Sequence, residues 1–498
     1  IPLTYRLECL LIGIEVPPVY LRPEPRPETA SQASQASQAS QASQASPTRA
    51  GADRARPERR APRRRSGRTA TYPVFLRRFA AAFALALRRA VFEFLRVQTD
   101  AHVANYRELG PSSVSDAVWE ADRALAGLER SFPFLLLVSP INEDAAWDAF
   151  RALRFERAPE FRYRLLPVDP DRLKRRLWEI DLEPIDDPSA RYLLADKRDE
   201  LDRRISMLAD RGSPDFLYGS IGLYHPVDDR VLRTATAILE SVEPPGPAPR
   251  DGATVDAEAF RARALEELAY YRARWPALDA VVQIRPDVSG LLVSSGRLLI
   301  GERLRLDPER VEALIHHEVG THVLTWVNGS AQPLRQLATG LAAYDELQEA
   351  LGVLAECLAG GLTAWRLRIL AARVVAAHAV ENGADFVQTF RRLVDGHGLP
   401  APRAFDVAQR VFHGGGFTRD QIYLRGFLRL LERLRAGEPL EPLYIGKIAA
   451  RHIGVVRELR ERGILREPPL LPRLLESDEA AERLRQLRQG LPLARLLQ

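Results

Sequence analysis

Ile315-His316-His317-Glu318-Val319-Gly320-Thr321-His322 is the stretch on which the reading of this chain turns. Three of the nine histidines fall within it. Around them Val311, Leu314, Ile315, Val319, Val323 and Leu324 recur at helical spacing, which predicts a buried helix. A histidine followed at once by glutamate, with a second histidine further along the same helix, predicts a metal site. Two imidazoles supply nitrogen ligands, a carboxylate from another helix supplies a third, and the fourth place stays open for water. The glutamate beside the first histidine cannot reach the ion together with its neighbour, so Glu318 is expected to face that water as general base.

The spacing carries a further demand. Residues four apart on a helix differ by about 40° in direction, but His317 and His322, five apart, differ by about 140°. A shared ion therefore requires a one-residue π-bulge between them. Gly320 lies in the interval, where the missing Cβ should make the distortion cheaper. His316 is an alternative first ligand, but its six-residue separation from His322 fits worse, and it is expected to pack beside the site. For the carboxylate, Gln348-Glu349-Ala350-Leu351 lies on a second apolar segment that also carries Glu346 and Glu356. Glu356 is seven residues past Glu349, on the same helix face, where it could orient an imidazole from behind. The residues alone leave all three in play.

The His-Glu-x-x-x-His pattern, the following Gly340, Leu341 and Tyr344, and the Gln-Glu-x-Leu element resemble the QEGLA-motif family. Its bacterial members are labelled flavohaemoglobin-expression-modulating proteins, and its animal members are the microtubule-associated tubulin tyrosine carboxypeptidases. The resemblance implies a zinc metallopeptidase with one ion held by His317, His322 and Glu349, and with Glu318 as catalytic base. It extends over roughly residues 130 to 470. The chain departs from the family word at Ala350, where Gly is usual, and at Gly352, where Ala is usual. The expected fold is α+β and predominantly helical: a zincin-like core with a small hairpin beside the metal helix, preceded by a helical N-terminal region.

Three segments are expected along the 498 residues. Residues 1–72 read as a disordered basic tail, because Ser-Gln-Ala repeats five times from Ser31 and prolines break the arginine run from Arg54 to Arg68. The leading Ile1 fits a true start further on. The first 70 residues carry net +6 against +5 for the whole chain, which leaves −1 for the remainder, so nothing in the charge of the folded part argues for nucleic acid as its partner. Residues 73–245 read as helical scaffold. Phe75 to Leu95 forms its first helix, with helices over 169–183 and 196–211 and breaks at Asp169-Pro170 and Asp187-Pro188. Pro244 to Pro249 reads as a linker, and residues 246–498 as the catalytic domain.

That last segment opens with a helix from Ala257 to Arg274. Ala280 to Ile284, Leu291 to Ser295 and Arg297 to Ile300 then read as strands, with Ser295-Gly296 as a turn. Leu291 to Ile300 is the candidate edge on which a substrate backbone would lie by strand addition. Further on, Gly414-Gly415-Gly416 permits positive φ or close approach, and Tyr423, His413 or Arg419 could donate to a developing oxyanion, with Tyr423 preferred. Arg403, Arg410, Arg419, Arg425 and Lys447 compete to hold a substrate carboxylate.

The expected activity is a carboxypeptidase-like hydrolase acting on a peptide or on a protein's C-terminal tail. A zinc amidohydrolase for a small amide and a non-catalytic regulatory zinc protein are the alternatives. Two cysteines make no disulfide framework, and no run is long enough to span a bilayer. A cytoplasmic enzyme of a GC-rich bacterium, without membrane partners, is expected.

Overall fold

The structure is a computed structural model and describes residues 73–99, 103–243 and 254–490. The expected tail (1–72) and the Pro244 to Pro249 linker lie outside these residues. The chain divides between Ala86 and Leu87 into two units, of which 87–498 is the larger. The architecture is predominantly helical α+β with two small sheets. Among the described residues no helix is long and apolar enough to cross a membrane.

Helix α1 (Pro73–Gln98) contains the expected first helix. In the larger unit α2 (Asp116–Arg130) is followed by α3 (Pro170–Trp178) and α4 (Pro188–Ala209). Both Asp-Pro pairs act as caps. Asp169 accepts from the amides of Asp171 and Arg172, Asp187 from those of Ser189 and Ala190, and proline fills the first turn. Helix α4 consequently begins at Pro188 rather than at 196, and α3 ends at Trp178 rather than at 183.

These helices share polar contacts with the rest of the unit as well as apolar ones. Lys197, fully buried, donates to Glu129 at 2.7 Å, and Arg204 donates to Asp345 at 2.9 Å. Asp122 of α2 accepts from the Arg335 and Gln336 amides at 2.7 and 3.0 Å. Such buried charges persist only when paired. One hydrophobic core runs from Val118 to Leu487.

Strand β1 (Val255–Asp256) leads into α5 (Ala257–Arg274), which Asp256 caps, and pairs antiparallel with β5 (Arg305–Leu306). The second sheet holds β2 (Val281–Arg285), β3 (Leu291–Ser294) and β4 (Arg297–Gly301) in the order β2-β4-β3. The β3–β4 hairpin turns at Ser295 and Gly296, with φ of 48° and 75°. A Cβ on Gly296 would run into the Trp326 ring, so glycine lets the hairpin press onto the helix carrying the histidines. Strand β4 is central, parallel to β2 and antiparallel to β3. The expected edge from Leu291 to Ile300 is thereby corrected. Only its first half, β3, is an edge strand, because the second half has partners on both sides.

Candidate metal centre

The helix with the histidines is built in three pieces: Val311–His317 in α-form, Glu318–Val323 in π-form and Leu324–Ser330 in α-form again. The widened turn lies where the five-residue interval demands it. Thr321 Oγ1 donates to the His316 carbonyl at 3.1 Å and Thr325 Oγ1 to the Thr321 carbonyl at 2.7 Å, taking up main-chain acceptors around the distortion. The His317 and His322 rings come together with centroids 4.9 Å apart. Gly320 is not sterically required. A Cβ there would meet nothing closer than 3.6 Å, so the glycine contributes main-chain freedom and not space.

The carboxylate comes from the helix Asp345–Leu358, buried along almost its whole length. Glu349 Oε2 lies 3.6 Å from Nε2 of both His317 and His322. These separations are too long for hydrogen bonds, and Oε2 has no hydrogen-bond partner although it is buried. Two imidazole nitrogens and one orphaned carboxylate oxygen, all within 4.8 Å of one another, form a largely buried triad that could hold a metal ion.

Each member of the triad is fixed from behind. Glu356 Oε1 lies 2.8 Å from His317 Nδ1, and because a carboxylate only accepts, the proton sits on Nδ1 and Nε2 is left to face the triad. Glu356 is itself gripped by Arg310 at 2.7 Å and Arg366 at 2.9 Å. His322 Nδ1 lies 3.4 Å from Gln348 Oε1, which also takes the Thr325 hydroxyl at 2.8 Å. Arg419 Nη2 donates to Glu349 Oε1 at 2.6 Å. Gly352 makes room for the whole arrangement, since a Cβ there would stand 2.5 Å from the His317 ring. Ala350 faces Gly426, whose missing Cβ leaves space for it. The departure from the family word is thus accommodated on both sides of the helix.

Burial opposes charge on His317, but the Glu349 and Glu356 carboxylates prevail and raise its pKa to about 10. Burial likewise works against the Glu349 carboxylate, yet Arg419 and the histidines hold it well below the usual range. An arriving cation would therefore meet a ready anion and displace a proton.

The triad opens on a cavity of about 440 Å³. Glu318, Tyr423, His413 and Lys447 all line it, as does β3 from Leu291 to Val293. The Tyr423 ring lies beneath Arg373 and Arg419, with their guanidinium carbons 4.9 and 5.8 Å from its centroid. Burial and the Arg410 charge push His413 down to about 3, so it stands neutral. His316 is on the other side of the helix, near Glu267 and Glu312, and takes no part in the triad. Glu346 pairs with Arg425 and Arg429, also away from it.

Of the expected carboxylate-binding cations, Arg419 is committed to Glu349, Arg410 to Asp420, Arg425 to Glu346 and exposed Arg403 to Asp406. The glycines Gly414, Gly415 and Gly416 all adopt positive φ, and side chains there would strike Phe216, Ser213 or Leu217. They serve close packing. Arg373, which also lines the cavity, escaped the sequence reading. Its signal was a lone cation inside the apolar run Ala371-Ala372-Arg373-Val374-Val375.

The family model for microtubule-associated tyrosine carboxypeptidase matches residues 148–491. No curated protein matches the chain. Among solved structures, a protein of Colwellia psychrerythraea described as a lipoprotein is similar at 11% identity, with a TM-score of 0.38. The alignment covers 58% of this chain and spans 66% of that one, too slight a likeness to bear on the fold.

Proposed function

The chain belongs to the microtubule-associated tyrosine carboxypeptidase family, and from that premise we propose that it is a zinc-dependent metallopeptidase with a zincin-like core, removing residues from the C-terminal end of a peptide or protein. The observation that carries the reading is the gathering of His317, His322 and Glu349 about one point, with Glu318 in the same cavity. These three would hold the ion, whose chemistry is to acidify water and polarise the scissile carbonyl.

The remaining work falls to the chain's own side chains. Glu318 takes a proton from the attacking water and returns it to the leaving amine. Tyr423, its ring fixed beneath two arginines, offers its hydroxyl to the oxygen on which charge develops. The substrate backbone lies along β3, the edge strand that lines the cavity. A second cavity of about 240 Å³ shares Leu292, Val293, Tyr344 and Lys447 with the first, so the opening continues along the strand, which supports a peptide over a small amide. The reaction, and not the microtubule in the family's description, is what this site supports. We place the enzyme in the cytoplasm.

The test is metal analysis of the purified protein followed by digestion of a peptide library with and without a chelator, read by mass spectrometry. One zinc per chain and chelator-sensitive loss of C-terminal residues are expected. Turnover that is unchanged in metal-free protein, or cleavage confined to internal bonds, refutes the reading.

A further inference from the structure

A carboxypeptidase must recognise a free carboxylate at the end of its substrate, and this inference rests on the reading given above. Arg164, Arg373, Arg410, Arg419 and Lys447 are the cations that line the cavity. Arg164 donates to the Leu136 carbonyl at 3.1 Å and also to that of Asp287. Arg410 holds Asp420 through both Nε and Nη2, and Arg419 holds Glu349.

Two cationic heads remain. The Lys447 ammonium makes no hydrogen bond or ion pair among the described residues; it stands 5.5 Å from the Tyr344 ring centre. Arg373 approaches Asp420 through Nε, at 3.4 Å and without a hydrogen bond. Both Asp420 oxygens are already taken by Arg410, so Arg373 is the surplus positive charge, and its two terminal nitrogens have no acceptor among the described residues.

Position separates the two. Lys447 lines both cavities, whereas Arg373 lines only the first. Along β3, Gly290 and Leu291 border the first cavity alone, Leu292 and Val293 border both, and Ser294 borders the second alone. A peptide added antiparallel to β3 therefore has its upstream residues beside Ser294 and its C-terminus beside Gly290. Lys447 stands where the peptide must continue, and Arg373 stands in the part where it must end.

We propose that Arg373, stacked on Tyr423 in the cavity that holds the triad, receives the terminal carboxylate of the substrate and makes the enzyme an exopeptidase. The planar fork of arginine matches a carboxylate with two parallel hydrogen bonds, which an ammonium cannot do. Arg373 and Arg419 both approach the Tyr423 ring, and Arg419 itself holds Glu349. The clamp thus shares an aromatic ring with the guanidinium that fixes the metal-facing carboxylate, which sets it close to the triad.

The test uses full-length Glu318→Gln protein, loaded with zinc and immobilised, as a trap that binds without turnover. It is presented with N-acetylated hexapeptides randomised at every position, as free acids and as C-terminal amides. The trap should retain the acids at least about tenfold better than the amides, the discrimination expected of a charge-assisted pair. Adding Arg373→Gln should bring that ratio close to one, Arg373→Lys should restore part of it, and Lys447→Gln should leave it intact.

A ratio that survives Arg373→Gln, or that Lys447→Gln erases, overturns the assignment. So does a trap that retains acids and amides alike. If Arg373→Gln fails to fold, Arg373→Lys decides, since an unchanged ratio there also overturns it. Wild-type protein that retains the acids through Arg373 but digests none of them refutes the peptidase reading while the carboxylate site stands.

Discussion

His317 Nδ1 lies 2.8 Å from Glu356 Oε1, and Glu356 follows Glu349 by two turns of the same buried helix. One helix thus supplies both the carboxylate that faces the triad and the one that steers a histidine into it. Replacing Glu356 by Gln keeps the shape but removes the charge opposite Arg310 and Arg366. Zinc affinity, measured by competition with a chelator, should fall about 10- to 100-fold. Unaltered affinity would show that the contact does not tune the ligand.

Glu318→Gln should retain one zinc per chain while hydrolysis falls by about 10²- to 10⁴-fold, the usual share of a general base. His317→Ala should lose both. Metal content and turnover on the same preparations separate the two outcomes, and wild-type turnover in Glu318→Gln removes the base assignment.

Gly352 and Gly320 make a matched pair. Alanine at 352 places a methyl 2.5 Å from the His317 ring, which should cost about 1–3 kcal/mol through overpacking and weaken zinc binding. Alanine at 320 has 3.6 Å to its nearest neighbour and should bind zinc like wild type. Thermal melts with and without zinc on both variants read the contrast.

Stability should depend on Asp196 in acid. Burial alone would raise its pKa, but the His452 hydrogen bond at 2.8 Å and Arg451 at 2.8 Å bring it down from 3.8 to about 2. The ionised form is favoured in the folded chain, so the stabilisation is present above about pH 4 and lost as pH falls toward 2. Asp196→Asn should cost up to about 2 kcal/mol at neutral pH, with the gap to wild type closing over that acid interval. Urea melts along a pH series would expose a constant gap, which contradicts the linkage.

The widened turn was legible because two ligands five positions apart leave an α-helix no alternative, and the Asp-Pro caps were legible because their chemistry is local. What escaped was non-local. Arg419 grips Glu349 across 70 residues, and no periodicity announces such a pair. Gln348 was read as part of a motif word, whereas in the fold it braces His322 against Thr325. The central place of β4 follows from parallel pairing with β2, and alternation along a strand cannot reveal which neighbours it will find.

The π-segment Glu318–Val323 also governs how this gene can change. With one residue looped into the wider turn, Val323 and Val327 each point within about 20° of Ile315, whereas in uninterrupted α-helix they would swing about 80° and 120° from it. All three are buried. Loss of a single codon inside the interval would therefore straighten the turn into plain α-helix with the downstream faces still in phase and the histidines four residues apart, whereas one codon more would swing the second half of the helix out of the interior. The interval can be shortened at less cost to the surrounding packing than it can be lengthened.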